Sequence, residues 1–305
     1  MKSPGRWKKR LRWAGGIIAA LSLIAVAIAP SWRNYYIPRR TVRIVEDQVY
    51  VAGSTNPRHR LDLYLPTTSP RPWPVVVFVH GGYWRPFDRR LFQPFTGLHG
   101  CVGVALANRG IATAVLGYRQ FRDASSLQDP LDDIAHATRW VIDHVASEGG
   151  DPSRLFIVGH SAGGFMTSLL AVEPEHLQRA GVGPGRVRGF ASLAGVYDLQ
   201  RLADGIGSNL AAVVRASAPT AEAVERFSPS RHVQPNHPPM LLGIGDDEPV
   251  TRREYSRMLA ALAANGGVVR GFEVPGEDHM NLVMHLSRPG NRVLAEIARF
   301  VDEHR

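Results

Sequence analysis

A single cysteine, Cys101, stands in a chain of 305 residues. One thiol excludes an intrachain disulfide and a cysteine-held metal site. It lies in Cys101-Val102-Gly103-Val104-Ala105-Leu106-Ala107, an apolar stretch that suits a packed small side chain better than a nucleophile. Internal repeats and low-complexity tracts are missing too, which excludes solenoids and linker-dominated chains. Acidic residues are absent from the first 45 positions, where ten Lys and Arg residues sit. The remainder carries 26 basic against 27 acidic side chains, so the net charge of +9 belongs to the N-terminal segment alone. The charge therefore gives no sign of a nucleic-acid partner, and none is expected. With 44% hydrophobic and 21% charged residues, the chain is long enough and apolar enough to bury one large core.

The basic segment has its own logic. Lys2 to Arg12 is cationic, and Trp13 to Pro30 is an uncharged run. This is the layout of a secretory signal or signal anchor. The run is short for a full membrane span, for which about 20 residues are usual. Alternating alanines, Ala25, Ala27 and Ala29, offer cleavage sites, but Pro30 disfavours a cut after Ala29. The expectation is an anchor or signal over residues 1–40. A catalytic domain over 41–305 would then lie on the non-cytoplasmic side of a membrane. Arg33, Arg39 and Arg40 on the far flank weaken that orientation.

Beyond the segment, strand and helix patterns alternate. Thr41–Ala52 and Arg60–Leu65 alternate in polarity and read as two antiparallel strands. Val75–Val79, Leu155–Val158 and Met240–Ile244 are short apolar runs, as expected of strands buried on both faces. Ile111–Leu116, Val187–Leu193 and Val268–Val274 read as further strands. Helices are expected over Leu91–Asn108, Asp129–Val145, Ser161–Ala171, Thr251–Ala264 and Arg292–Val301, with a turn at Gly149-Gly150-Asp151-Pro152. Such alternation implies a mostly parallel central sheet with helices on both faces. Residues 196–238 break the rhythm and read as short helices and loops, a small cap insertion over one end of the sheet.

Chemistry is carried by strand ends. Ser161 sits in Gly159-His160-Ser161-Ala162-Gly163, between a buried strand and a helix. Glycines two positions away on each side permit a sharp turn that lifts the hydroxyl above the sheet edge. A bare Gly-x-Ser-x-Gly is a weak signal, since an idle serine in a glycine turn looks the same. Its placement between strand and helix makes it a nucleophile candidate. His80-Gly81-Gly82-Tyr83-Trp84 follows an earlier buried strand. There the N–H groups of Gly81 and Gly82, with that of Ala162, suit an oxyanion hole. Tyr83 and Trp84 are as suited to lining a substrate cleft as to packing on the surface, and His80 reads as a residue that orients the loop. A weak serine nucleophile needs a base. His279 follows the last strand, with His285 as its nearest rival. An acid is expected after Met240–Ile244, where Asp246, Asp247 and Glu248 stand in a row. The Asp247-x-x-Val250 pattern favours Asp247, with Asp198 more distant.

Serine, acid and histidine in that chain order resemble the α/β-hydrolases. Val79–Trp84, Gly117-Tyr118-Arg119, Gly149–Arg154 and Gly159–Gly164 resemble their esterase group with a His-Gly-Gly oxyanion loop. That group includes carboxylesterases, hormone-sensitive-lipase-like esterases, prenylcysteine methylesterases and kynurenine formamidases. The resemblance spans about residues 58–303. It implies catalytic roles for Ser161, Asp247 and His279 and an oxyanion role for Gly81, Gly82 and Ala162. It also implies hydrolysis of a small-molecule ester with no metal and no cofactor. An aryl formamidase is the alternative, and a catalytically silent hydrolase scaffold is the alternative from another class. Gly159–Gly164 also resembles the oligopeptidases, but the chain has no room for a large gating domain. The oligomeric state is not legible.

Overall fold

The computed structural model describes residues 41–82, 88–91, 97–120, 124–205, 208–246 and 249–304. Eight strands form one sheet. They are β1 (Val42–Val49), β2 (Arg60–Pro66), β3 (Trp73–Val79), β4 (Ala112–Leu116), β5 (Gly150–His160), β6 (Val187–Leu193), β7 (Met240–Ile244) and β8 (Val269–Glu273). Their spatial order is β1-β2-β4-β3-β5-β6-β7-β8. β2 runs antiparallel to both of its neighbours, and every pairing from β4 to β8 is parallel. This is an α/β-hydrolase fold.

Alternation along the strands explains the two cores. Val75, Val77 and Val79 of β3 point to one face, and Val76 and Phe78 to the other. The first face is covered by α2 (Gln128–Glu148), α3 (Ala162–Val172) and α8 (Pro249–Ala264). The second is covered by α1 (Leu98–Ala107) and α10 (Arg292–Glu303). Strands pressed between two helical layers have no polar face, which is why β3, β5 and β7 read as continuous apolar runs.

Several boundaries differ from the sequence reading. Of the helix expected over Leu91–Asn108, the described part runs from Leu98, because Gly97 has φ 81°, a backbone that a helix cannot pass through, and residues 92–96 lie outside the described residues. Gly149 has φ 102° and caps α2, but Gly150 already pairs with Trp73, so the expected turn is the start of β5. The next pair is Val75 with Leu155, which makes Asp151–Arg154 a bulge that accommodates Pro152. Short helices were not foreseen at α4 (Glu175–Arg179) and α9 (Asn281–Met284). Residues 196–238 do contain short helices: α5 (Leu199–Gly205), α6 (Ser208–Ser217), α7 (Ala221–Arg226) and a 3-10 turn at Pro229–Arg231.

Residues 1–40 lie outside the described residues, so the expected anchor does too. Among the described residues no helix is long and apolar enough to cross a membrane.

Candidate active site

Ser161 occupies the turn between β5 and α3, with φ 55° and ψ −119°. A side-chain-bearing residue at positive φ costs on the order of 1–3 kcal/mol unless its surroundings enforce it. Here they do. A Cβ on Gly159 would fall 2.2 Å from the Gly163 carbonyl oxygen, and one on Gly163 would fall 2.0 Å from that of Val79. The turn is closed so tightly that only glycine fits on either side. The Ser161 N–H donates to the Leu193 carbonyl at 2.8 Å, and the Ser161 carbonyl accepts from the Phe165 N–H at 3.0 Å. The hydroxyl is thus presented by a turn locked to β6 and to the first turn of α3.

His279 reaches it from the loop after β8. Its Nε2 lies 2.9 Å from Ser161 Oγ. With the serine hydroxyl donating, Nε2 is the lone-pair nitrogen and Nδ1 carries the proton. The pair can move a proton from oxygen to nitrogen without rearrangement.

The Gly81-Gly82 loop lies directly against this turn. A Cβ on Gly81 would sit 2.9 Å from Ser161 Cβ and 2.9 Å from the His160 carbonyl oxygen. Ala162 is the first helical residue of α3, so its N–H is among those without an intrahelical acceptor, at the end of the helix that favours negative charge. Gly81, Gly82 and Ser161 together wall a small cavity of about 40 Å³.

His80 holds the loop in place. Its Nδ1–H donates to the Gly81 carbonyl at 2.7 Å, and its own carbonyl accepts from the Tyr118 hydroxyl at 2.6 Å. Its ring stacks on that of His99, with centroids 4.5 Å apart. Burial lowers the His80 pKa to about 4 and drives that of His99 well below the usual histidine range, so both rings are neutral near pH 7.

Two histidines matter here that the sequence reading passed over. His160, the variable position of the serine motif, donates Nε2–H to the His279 carbonyl at 2.8 Å. Burial, with the neighbouring His279 second, lowers its pKa to about 3, so it acts as a fixed neutral donor. His99 lines the cavity. Any residue can fill the motif's middle position, and His99 falls inside an apolar helix, so neither carried a local signal.

Among the acids, Asp246 is occupied elsewhere. Its carboxylate accepts from the Gly276 N–H and lies 3.8 Å from Arg252. Asp198 is buried but pairs with Arg231 at 3.2 Å and accepts from the Arg201 N–H at 3.0 Å. Asp247 and Glu248 lie outside the described residues, as do Tyr83 and Trp84. The rival base His285 is engaged through Nδ1 by Glu277 at 2.6 Å.

The chain is similar to several groups of known proteins. Residues 61–262 match the BD-FAE family model. A probable isoprenylcysteine alpha-carbonyl methylesterase of Arabidopsis thaliana is 29% identical over 75% of the chain and 50% of its own length. The chain spans about half the length of such curated methylesterase relatives. A kynurenine formamidase of Danio rerio is 24% identical over 93% of the chain and 88% of its own length. Among solved structures, esterase B from Lactobacillus rhamnosis superposes with a TM-score of 0.77 at 22% identity, covering 95% of this chain and 96% of that one. The chain belongs to the BD-FAE family, within the esterase group of the α/β-hydrolases.

Proposed function

We propose that the chain is a serine esterase that hydrolyses small carboxylic esters through Ser161, His279 and Asp247. The observation that carries this reading is the 2.9 Å contact between Ser161 Oγ and His279 Nε2 at a turn held by its glycines. His279 takes the hydroxyl proton as Ser161 attacks the carbonyl carbon. The oxyanion is received by the N–H groups of Gly82, Ala162 and Gly81. His279 then protonates the leaving alcohol, leaving an acyl-enzyme. Water deprotonated by the same imidazole releases the acid. Asp247 is assigned to hold the imidazole tautomer, since Asp246 is committed to Gly276. Residues 196–238 are assigned as the cap that shapes the substrate cleft, with Tyr83 and Trp84 in its wall.

Changing Ser161→Ala tests the reading. Turnover of a short-chain acetate ester and labelling by a fluorophosphonate probe are both expected to vanish while the fold persists. Retained turnover would overturn the assignment. Labelling of the wild-type chain also separates the esterase from a silent scaffold.

A second reading, N-formyl aryl amide hydrolysis, draws support from the kynurenine formamidase relatives, one of which is covered over 88% of its length. Rates on an acetyl ester and an N-formyl anilide, measured side by side, decide between the two. Residues 1–40 are assigned as the membrane anchor or export signal that places the domain on the non-cytoplasmic side, on their charge and apolar run. N-terminal sequencing of the mature protein and fractionation test that assignment.

A further inference from the structure

Among the described residues, the cavity beside Ser161 is walled by Gly81, Gly82, Leu91, Leu98, Met280, the serine itself and two polar rings, His99 and His160. Its volume of about 40 Å³ is close to the share of one water molecule in the liquid, about 30 Å³, so it takes one or two non-hydrogen atoms.

His99 is 4% exposed, and its tautomer is fixed by its surroundings. Nδ1 lies 2.8 Å from the Asp88 carbonyl oxygen. A carbonyl only accepts, so Nδ1 must donate its proton, and Nε2 is left with a lone pair. No described residue donates to that nitrogen. The ring cannot tumble, because it is stacked on His80 at 13° between planes. Asp88 is itself held, through its carboxylate, by Arg58 at 2.9 Å and by the Arg90 N–H at 2.9 Å. Burial keeps the ring uncharged. The result is a neutral acceptor, His99 Nε2, in a wall that among the described residues otherwise offers hydrocarbon, glycine, the Ser161 hydroxyl and the His160 ring, whose Nε2–H is already given to the His279 carbonyl. An acceptor open to the cavity favours a ligand that donates to it over one that cannot.

We infer that this cavity is a subsite for a hydroxymethyl group on the acyl side of the substrate, so that the preferred substrates are 2-hydroxyacyl esters of the glycolyl type. The inference rests on the serine esterase reading above. The substrate hydroxyl donates to His99 Nε2, and the carbonyl beside it is left to the Gly81-Gly82 loop.

The test uses matched esters and the full chain. Methyl glycolate and methyl propanoate differ by OH for CH₃ at constant size. The wild type is expected to favour glycolate by about tenfold in kcat/KM beyond the ratio of their hydroxide-catalysed rates. His99→Phe keeps the stack on His80 and removes the acceptor, and it should abolish that excess. The ratio within one preparation is independent of how much enzyme is active, and fluorophosphonate labelling confirms that Ser161 is in place. A wild type without the excess overturns the inference even if the variant does not fold. So does an excess that survives His99→Phe. A second pair, 2-hydroxyethyl acetate and propyl acetate, moves the same hydroxyl to the alcohol side, and a His99-dependent preference confined to that pair overturns the acyl placement. Absence of turnover of every ester, with no labelling, would instead sink the esterase reading itself.

Discussion

His160→Leu is expected to loosen the base without touching the nucleophile. The His160 ring is buried, and its one described hydrogen bond runs from Nε2–H to the His279 carbonyl at 2.8 Å. Leucine fills a similar volume but cannot donate. The carbonyl then loses its partner in a partly buried position, which costs about 1–3 kcal/mol of stability. The kinetic cost comes by another route. His279 meets Ser161 at 2.9 Å from a loop, and the His160 bond is a second tie between that loop and the Ser161 turn. A shift of about 1 Å in a catalytic group costs roughly 100-fold in rate. The assay is kcat/KM for a short acetate ester as a function of pH, beside urea unfolding of the same preparations. His160→Gln, whose amide can donate over a similar reach, should recover most of both losses. If His160→Leu stays within about threefold of wild type in kcat/KM at unchanged stability, the loop is held by something else and the reasoning fails.

Acid should destabilise the fold below the usual histidine range. His80 titrates at about 4 and His160 at about 3 in the folded chain, against about 6.5 when unfolded, so the unfolded state binds more protons in that window. Stability is therefore complete above pH 6.5 and falls as pH drops towards 4, by up to about 1.4 kcal/mol per pH unit for each histidine, which urea midpoints across pH would reveal. Gly163→Ala places a Cβ 2.0 Å from the Val79 carbonyl oxygen and 2.7 Å from that of His80. It should yield poorly soluble protein or lose ester turnover, and a well-folded active variant would refute the tight turn. Asp247→Asn is expected to lower kcat by about 10⁴-fold, as loss of a triad acid does, with Asp246→Asn affecting chiefly stability. The reverse ranking would move the assignment to Asp246. Asp62 is buried and pairs with the buried Arg89 at 3.1 Å and with Arg90 at 3.1 Å. Asp62→Leu removes the buried partner of Arg89 and leaves it Asp47, and should cost about 1–3 kcal/mol in chemical denaturation.

The sequence spoke most clearly where burial was symmetrical. β3, β5 and β7 were legible because both faces are covered, and the Gly-x-Ser-x-Gly was legible because a two-sided steric constraint forces glycine at both flanks. It spoke least where a residue's partner is distant in the chain. His99 acquires its meaning from a stack on His80 and a bond to the Asp88 carbonyl, and neither leaves a periodic trace. The bulge after Gly150 was read as a turn because glycine, aspartate and proline serve both, and only the pairing of Gly150 with Trp73 separates them. Asp246, Asp247 and Glu248 were separated only by the Asp247-x-x-Val250 pattern, because three consecutive carboxylates are alike in type.

The backbone partly resolves that last ambiguity. The loop after β7 is stitched to the loop after β8 before any triad contact is considered. The Asp246 N–H donates to the Glu277 carbonyl at 2.6 Å, and the Asp246 carboxylate accepts in return from the Gly276 N–H. A Cβ on Gly245 would fall 2.0 Å from that same Glu277 oxygen, so glycine is required for the loops to meet. Asp246 is thus spent on joining the two loops, and the joined pair is what carries His279 to Ser161. From the other side, His160 clamps the His279 carbonyl. His279 is therefore held by backbone contacts on both flanks, from the loop after β7 and from the Ser161 turn. That leaves a triad acid the narrower task of choosing a tautomer and stabilising a cation. A neighbour of Asp246 can perform that task because Asp246 has already fixed the distance between the loops.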